Sequence, residues 1–453
     1  MQMWPMFQID LQIFQAGEWR DAMRLTFEAP ELGFRSPCSF AYQNSYVLDN
    51  IDHLPSVLGR AVSAVAPLDW TLFRSPGAPA FLYDIVPSGA ARRFLIKVVG
   101  RDKPQGVDAD LYLLARCTPA PIGHLRVRQS VAAPLPAAQV VRGFARDDVI
   151  HRDSTFLDYA YEQGAAIGGA TGAGGEAPKL LMAEDRTGLF YADATLPDEQ
   201  AHAHWLVKFA RNKGSQTDQD ILRSEYHYYR ALQQLGIDTV PVAGLALEEA
   251  RKPSLWMRRF DRAITQDDAG QHRVQRLAME SVYSLCSVTI PGHAMQHTEV
   301  LQALARLWRE VGQGAQIPAM VSDYLRRDLL NKILGNSDNH GRNTSVIRGE
   351  SSVRLAPIYD LAPMVMDEEG ITRVTKWPMP LEVAGMPAWA GICAALADLA
   401  DPEWLFEQLR GDAVLLRALP DLLAASGLPT ATWRSPGVHL QRLDQSLTRW
   451  GLL

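Results

Sequence analysis

The chain has few of the features that mark a secreted, metal-stabilised or membrane-spanning protein. Its 453 residues include only four cysteines, which lie far apart without a C-x-x-C pair or a cysteine and histidine cluster. This spacing argues against a disulfide framework and against a structural zinc site. No apolar run reaches the roughly 18 residues that a membrane-spanning helix needs. The N-terminus, MQMWPMFQIDLQIF, lacks the basic segment and clean apolar run of a signal peptide, so we expect a cytoplasmic protein.

The sequence also lacks a strong excess of either charge. The formal net charge is −6 at pH 7, and charged residues make up 21% of the chain. Proteins that cover nucleic-acid phosphates usually carry a marked basic excess, so direct binding to nucleic acid is not expected. Hydrophobic residues make up 47%, which is typical of a soluble globular protein. The length is sufficient for two or three domains.

A glycine-rich stretch, GGATGAGGEAPK at 168–179, differs from the Walker-type phosphate loop. That motif is G-x-x-x-x-G-K-[ST], whereas here Pro178 precedes Lys179 and Leu180 follows it. A Walker-type NTPase is therefore disfavoured. Backbone N–H groups of such a loop can still cover phosphates. The competing interpretation is a plain flexible linker.

Changes in residue pattern divide the chain into three predicted domains, at 1–145, 146–260 and 261–453. In the first domain, short apolar runs predict strands and one longer stretch predicts a helix, so this domain is expected to be mixed. The predicted strands are FLYDIVP (81–87), FLIKVVG (94–100) and GHLRVRQSV (123–131), and the predicted helix is LDNIDHLPSVLGRAVSAV (48–65).

The second predicted domain is rich in strands and the third is helical. HAHWLVKFA (202–210) is a strong strand candidate, and ILRSEYHYYRALQQLG (221–236) has helical spacing and ends at a glycine, a common helix C-cap. Further strands are predicted in VPVAGLALEE and SLWMRRF. Helical periodicity then recurs at 277–288, 300–312, 323–335, 389–400 and 413–427.

The polar segment GNSDNHGRN interrupts this helical part and carries the main chemical signal. Asp338 is followed five residues later by Asn343, and Asp360 lies seventeen residues further on, after two short runs that predict a β-hairpin. Phosphoryl transfer from ATP needs a carboxylate beside the attacking hydroxyl and hard oxygen ligands for Mg²⁺. Protein kinases use this order of residues. The competing interpretation is a polar turn capped by Asx side chains.

Lys208 lies in the middle of the predicted strand HWLVKFA. A lysine at such a position must reach solvent or find a charged partner, and in a kinase a strand lysine contacts the ATP phosphates. The alternative is a lysine at a sheet edge with its ammonium in solvent. Glu225, on the following predicted helix, could pair with Lys208, although a solvated glutamate on the helix face is favoured.

Together these motifs resemble those of the HipA-like serine/threonine kinases, a family of bacterial toxin–antitoxin systems. The family pattern is approximately G-N-x-D-x-H-x-x-N followed by L-x-P-x-Y-D, and GNSDNHGRN and LAPIYDLAP are similar to it. MRRFDR (257–262), EAPKLLMAED (176–185) and PAPIGHLRV (119–127) resemble three further family elements. The resemblance runs from about 119 to 363, and the first hundred residues match poorly.

The resemblance implies roles for the residues that match the two motifs. Asp338 would accept the proton of the attacking hydroxyl. His340 would be a second catalytic residue and would lie with Asn343 at the site of ATP and metal. Asn343 and Asp360 would bind Mg²⁺, with Tyr359 alongside.

The resemblance also implies which residues bind the nucleotide. Lys208 would contact the phosphates, and Arg258, Arg259 and Phe260 would form the hinge against adenine. The residues that would cover the nucleotide are Gly174, Gly175, Glu176, Ala177, Pro178 and Lys179. The family's founding toxin is autophosphorylated on a serine of this loop. Here Thr171 is the only hydroxyl of the loop, so phosphorylation of Thr171, or none, stays open.

The implied fold is α+β and two-lobed like a protein kinase, with a β-rich N-terminal portion and an all-helical C-terminal lobe. The implied function is ATP- and Mg²⁺-dependent phosphorylation of a protein serine or threonine. Family members suggest an aminoacyl-tRNA synthetase as a substrate class and a small helix-turn-helix antitoxin as a partner.

Two other functions remain open. One is a small-molecule phosphotransferase, although such enzymes tend to show H-x-D at the base, and here Asn336 and Ser337 precede Asp338. The other is a non-catalytic regulatory protein that binds an antitoxin.

Overall fold

A computed structural model shows a protein of mixed α and β structure, with many helices and several separate β-sheets. The structure describes residues 6–132, 142–151, 166–167, 178–211, 214–266 and 272–453. The mixed content agrees with the predicted α+β class. Within the described ranges, no helix is both long enough and apolar enough to cross a membrane.

The N-terminal part is built on a five-stranded antiparallel sheet with the order β4-β3-β2-β1-β5. Alternating residues of the first strand, Ile9, Leu11 and Ile13, are fully buried, as the two-residue period of a strand on a core predicts. The strands are β1 (Phe7–Gln15), β2 (Glu18–Phe27), β3 (Cys38–Tyr42), β4 (Phe73–Ser75) and β5 (Leu125–Val127), and the helices are α1 (Asn44–Asp49), α2 (Gly89–Val99), α3 (Ala109–Arg116) and α4 (Arg128–Ala132).

Three sequence predictions for this part are wrong. FLIKVVG is the second half of α2, and FLYDIVP forms a 3₁₀ helix over Ala80–Asp84. Short apolar runs fit a buried helix as well as a strand, so their periodicity could not separate the two. The predicted helix at 48–65 holds only the last two residues of α1 and a 3₁₀ turn at Ile51–His53, and the rest is irregular from Pro55 on, which has no backbone donor. The GHLRVRQSV strand is confirmed only over β5.

The middle part contains a six-stranded sheet with the order β10-β11-β9-β7-β6, with β8 paired to β7. HAHWLVKFA is confirmed as a strand, and the predicted helix after it is confirmed with a capping box between Ser215 and Asp218. The elements are α5 (Arg146–His151), β6 (Ala166–Ile167), β7 (Lys179–Asp185), β8 (Phe190–Ala192), β9 (Ala201–Phe209), α6 (Gln216–Gln234), β10 (Ala246–Glu248) and β11 (Ser254–Arg258).

The C-terminal part is mainly helical, but it also contains short strands. The prediction of an all-helical C-terminal lobe is therefore wrong. The predicted helix at 277–288 is divided, because its first half pairs as a strand with the hairpin that precedes Asp360. The strands are β12 (Arg262–Gln266), β13 (His272–Arg276), β14 (Ala278–Ser281), β15 (Met295–Gln296), β16 (Ser345–Arg348), β17 (Val353–Leu355), β18 (Thr375–Lys376), β19 (Glu382–Val383) and β20 (Met386–Pro387). The β14-β16-β17 sheet confirms the predicted hairpin.

The helices of this part surround one large apolar core that also contacts α6. They are α7 (Val282–Leu285), α8 (His297–Glu310), α9 (Ile317–Leu334), α10 (Trp389–Ala395), α11 (Pro402–Leu416), α12 (Leu419–Ser426), α13 (Thr430–Arg434) and α14 (Leu443–Arg449). The last predicted stretch, 413–427, spans two helices, because a new helix begins at Leu419 with Pro420 in its first turn. Gly335 ends α9 with a φ of 71°, and the polar GNSDNHGRN segment starts there.

Candidate functional site

One cleft brings together most of the residues singled out in the sequence. Its free space, counted together with the part that opens to solvent, is about 1060 Å³. The predicted residues that line it are Lys179, Lys208, Arg258, Arg259, Phe260, Asn343, Tyr359 and Asp360. A smaller adjoining cavity adds Asp338 beside Lys179, Lys208 and Asp360. Thr171, Gly174, Gly175, Glu176 and Ala177 lie outside the described residues.

The loop between α9 and β16 holds Asp338, His340 and Asn343. The Asn343 side-chain amide donates to the Asp338 carbonyl at 2.7 Å, so its Oδ1 is the end available to a ligand. His340 is buried, and its Nε2 lies 3.5 Å from Asp338 Oδ1. Burial lowers the pKa of His340, against the opposing charge of Asp338. A neutral histidine beside Asp338 is therefore expected at neutral pH.

Two lysines contact the Asp360 carboxylate. Lys208 Nζ lies 2.5 Å from Asp360 Oδ1, and Lys179 Nζ lies 2.9 Å from Oδ2. Burial alone would raise the pKa of Asp360, but the two ammonium groups hold it well below its usual range. Asp360 also has a φ of 54°, a left-handed conformation that costs energy outside glycine and often marks functional sites.

Glu225 is the second carboxylate bound to Lys208, so the favoured interpretation of a solvated glutamate is wrong. Its Oε2 accepts from Lys208 Nζ at 2.5 Å, its Oε1 accepts from the Tyr229 hydroxyl at 2.8 Å, and it is 1% exposed. Burial lowers the pKa of Lys208, but Asp360 and Glu225 raise it by more. Lys208 therefore stays charged between two carboxylates. Glu225 lies on the buried side of α6, as do Tyr228 and Tyr229. The polar sequence around Glu225 did not reveal that its side chain is buried.

The three predicted hinge residues all line the cleft, but their side chains make different contacts. Phe260 packs beside Tyr359, with 5.8 Å between ring centroids. The Arg258 guanidinium lies over the Trp205 ring at 4.2 Å. Arg259 is buried and donates to two aspartates, at 2.8 Å to Asp193 Oδ2 and 2.9 Å to Asp261 Oδ1. The Arg259 side chain therefore holds the fold in place, while Phe260 offers an apolar ring to the cleft.

Tyr359 is held by hydrogen bonds to the segment that carries Asn343. Its hydroxyl donates to the Arg342 carbonyl at 2.6 Å and lies 2.6 Å from Ser345 Oγ. These bonds tie the residue before Asp360 to the segment that carries Asn343. The two motifs are thus joined directly by hydrogen bonds.

Three cleft residues come from segments to which the sequence motifs assigned no role. Asp84, Met279 and Ser281 line the cleft beside Arg342 and Asn343. Asp84 lies in the stretch that was predicted as a strand, and Met279 and Ser281 lie in the stretch that was predicted as a helix. No local pattern marks them, because their approach depends on the packing of the N-terminal part against β14.

The cleft offers suitable ligands for a hard divalent cation. Asp360 supplies a carboxylate and Asn343 an amide oxygen, and Mg²⁺ is usually held by one or two protein ligands together with substrate phosphates. Among the described residues, no three His, Cys, Asp or Glu side chains form a preformed metal cluster. Asn343 and Asp360 together match the number of protein ligands that Mg²⁺ usually has.

Comparison with known proteins identifies the family. The model of the HipA-like C-terminal domain matches residues 171–410, which is more than half of the chain. No curated protein matches the sequence. One similar solved structure is the HipA of Shewanella oneidensis MR-1 in a complex with HipB and its operator DNA, at a TM-score of 0.62 and 18% identity. That match covers 98% of this chain and 96% of the other, and it shows a shared fold.

A weaker structural match is the Helicobacter pylori proinflammatory kinase CtkA. It has a TM-score of 0.34 and 13% identity, over 62% of this chain and 88% of that one. A score this low supports no conclusion about the fold. The match to the HipA-like domain model over more than half of the sequence is sufficient by itself. The chain belongs to the HipA-like family.

Proposed function

We propose that the protein transfers the γ-phosphate of ATP to a serine or threonine hydroxyl of a protein substrate. The observation that supports this most is the meeting of Asp338, Asn343, Asp360 and Lys208 at two adjoining cavities. In this proposal the strand-rich part at 146–260 binds the nucleotide, and the part at 261–453 carries the catalytic loop. The two parts form the lobes of a kinase.

Each side chain has a distinct task in the proposed reaction. Asp338 orients the acceptor hydroxyl and takes its proton as the new O–P bond forms, while the bond from the γ-phosphorus to the bridging oxygen breaks and ADP leaves. Lys208 and Lys179 bring two positive charges to the place where the phosphates are held. Mg²⁺, held by Asn343 and Asp360, would neutralise the charge of the triphosphate. Phe260 provides an apolar surface for the adenine ring.

The partner we propose is a small helix-turn-helix antitoxin. This proposal rests on the family and on the shared fold with a HipA that was solved together with HipB and operator DNA. Contact of this chain with DNA is not part of the proposal. An aminoacyl-tRNA synthetase is the substrate class that we would test first.

The test is transfer of label from γ-labelled ATP in the presence of Mg²⁺. The acceptors are the proteins of a cell extract, purified aminoacyl-tRNA synthetases and a set of small alcohols. Asp338→Asn is expected to lower the transfer rate by about 10²- to 10⁴-fold, because it removes the proton acceptor while leaving the cleft intact. ATP binding should be retained, and chelation of Mg²⁺ should stop transfer. Asp421→Asn, at an exposed position of α12, is the matched control.

The outcomes separate the candidate functions. Label in protein that disappears in Asp338→Asn supports the proposal. Label only in a small alcohol would make the protein a small-molecule phosphotransferase. Equal transfer by the wild type and Asp338→Asn, or no binding of ATP, would contradict the assignment, and failure to bind ATP would favour a non-catalytic regulator.

A further inference from the structure

Hydrogen bonds connect the N-terminal part directly to the strands beside the cleft. Arg348, on β16, donates to the backbone carbonyls of four residues in this part, which are Val57, Leu58, Ala61 and Val62. Glu280, on β14, accepts from the Ala64 amide at 2.9 Å and from the Ser63 hydroxyl. These bonds connect residues more than 200 positions apart, so they fix the position of the N-terminal part relative to the cleft.

Asp84 is the acidic side chain that this part places in the cleft. It ends the 3₁₀ helix Ala80–Asp84, and its carboxylate accepts from the Ser281 amide at 3.0 Å and from the Ser281 hydroxyl at 2.7 Å. The side chain is 18% exposed. Asp84 thus lines a site whose other named chemical groups come from residues 179–360.

Ser281 links Asp84 to the loop of Asp338, His340 and Asn343, because the residues that follow it are hydrogen-bonded to that loop. It is the N-cap of the short helix α7, where its hydroxyl accepts from the Ser284 amide at 3.1 Å. The next two amides bond to the loop, Val282 to the Thr344 carbonyl at 2.9 Å and Tyr283 to the Gly341 carbonyl at 3.2 Å. The Tyr283 ring also stacks on His340.

Arg342 provides a second connection from Asp84 to the same loop. Its Nε lies 3.9 Å from Asp84 Oδ1, and its guanidinium lies near the rings of Tyr83 and Tyr283, at 5.8 Å and 5.7 Å. The Arg342 amide donates to His340 Nδ1 at 3.2 Å. One carboxylate therefore contacts both the segment that supports the loop and the side chain of a loop residue.

We propose that Asp84 is a positioning residue of this site, which holds the loop of Asp338, His340 and Asn343 through Ser281 and Arg342. The N-terminal part of the chain then contributes a functional residue to the phosphoryl-transfer site. The inference rests on the proposed function, since it assigns Asp84 a role in that reaction. Asp84 itself touches neither acceptor nor phosphate in this role.

The electrostatics of Asp84 make the proposal testable. Burial raises its pKa to about 6, while Arg342 opposes this shift and Glu280 adds to it. Tyr83 and Tyr359 also lie on the elements around it. Asp84 is charged at neutral pH and loses its charge as the pH falls through about 6. Because its pKa is higher in the folded than in the unfolded chain, the charged form costs stability at neutral pH.

The experiment compares Asp84→Asn and Asp84→Ala with the wild type in the transfer assay. Asp52→Asn, at an exposed position of the same part, is the matched control. We expect Asp84→Asn to lower kcat by about tenfold or more, to change the KM for ATP by less than about threefold, and to leave the Tm at neutral pH unchanged or higher. The fall in wild-type kcat below about pH 6 should be absent from the Asp84→Asn profile.

Other results would overturn the inference. A kcat for Asp84→Asn within about twofold of the wild type would do so, as would an equal loss in Asp52→Asn. A loss of kcat that follows a lowered Tm would assign Asp84 a purely structural role and would also overturn it. If the wild type transfers no phosphate at all, the proposed function fails, and this outcome is distinct from normal transfer by both wild type and Asp84→Asn.

Discussion

At the scale of single residues, the central feature is a lysine that the chain places between carboxylates. Lys208 lies on β9, where its neighbours Val207 and Phe209 are buried in the core. Its ammonium could not stay there without compensation, and Asp360 and Glu225 supply that compensation. The strand therefore carries a fixed positive charge at the place where the proposed reaction holds phosphate.

The first prediction at this scale concerns Lys208→Met. We expect kcat/KM for ATP to fall by about 10²- to 10³-fold, since one preorganised positive donor is lost. We also expect the free energy of unfolding to fall by about 3–5 kcal/mol, because Glu225 stays buried without a cation. Kinetics and chemical denaturation measure the two effects. Lys252→Met, at an exposed position, should change neither.

The pH dependence of this destabilisation follows from Glu225. Burial already raises its pKa above the usual value, against the opposing charge of Lys208, and removal of Lys208 should raise it further. Glu225 can then take up a proton as the pH falls. The destabilisation by Lys208→Met should therefore be smaller at about pH 5 than at about pH 8. A pH-independent loss would mean that Glu225 is not the group left unpaired.

At the scale of elements, the short helix α7 packs against the loop that carries Asp338, His340 and Asn343. The chain changes from strand to helix at Ser281, and Tyr283 then packs its ring against the loop. The approach is so close that a Cβ added to Gly341 would lie 2.3 Å from Tyr283 Cδ1. Gly341 is thus required for this contact because it has no side chain.

The prediction at this scale is that Gly341→Ala displaces α7 from the loop. We expect the rate of phosphate transfer to fall by about tenfold or more. The free energy of unfolding should fall by about 1–3 kcal/mol, the usual cost of overpacking. Gly411→Ala is the matched control, because nothing lies within 4 Å of a Cβ at that exposed helical position. It should raise stability by about 0.5–1 kcal/mol. An active and stable Gly341→Ala would refute the close packing.

At the scale of the whole molecule, Arg348 joins the N-terminal part to the C-terminal part. It is 1% exposed, and besides its bonds to carbonyls its Nε lies 2.9 Å from Glu280 Oε2. A buried guanidinium of this kind is compensated only while all these partners stay in place. Arg348 therefore makes the position of the N-terminal part depend on β16.

The prediction at this scale is that Arg348→Met loosens that connection. Backbone amides at 57–64 should exchange with solvent faster than in the wild type, while amides of α11 should not change. We expect the loss of stability to be about 3–5 kcal/mol, because Glu280 is left buried without its partner. Arg354→Met, at an exposed position on the neighbouring strand, should have an effect within about 0.5 kcal/mol. Unchanged exchange at 57–64 would contradict the role of Arg348.

Likeness to HipA also extends over the whole molecule. The structural match covers 98% of the chain, including the first hundred residues, where the motifs show no clear similarity. A fold can be shared where the sequence pattern is not recognisable, because many combinations of apolar residues fill the same core. The division into domains at 1–145, 146–260 and 261–453 stays a prediction.

Local sequence was sufficient to predict the parts of the site that lie close together along the chain. Asp338, Asn343 and Asp360 are separated by one loop and one hairpin, so short-range chain geometry is enough to bring them near one another. Lys208 was recognisable because a charge within an apolar strand needs a partner. Only the tertiary structure showed that Glu225 is this partner and that Asp84 lies beside Arg342 in the cleft. Both contacts join distant segments, and no local periodicity records which faces of such segments pack together.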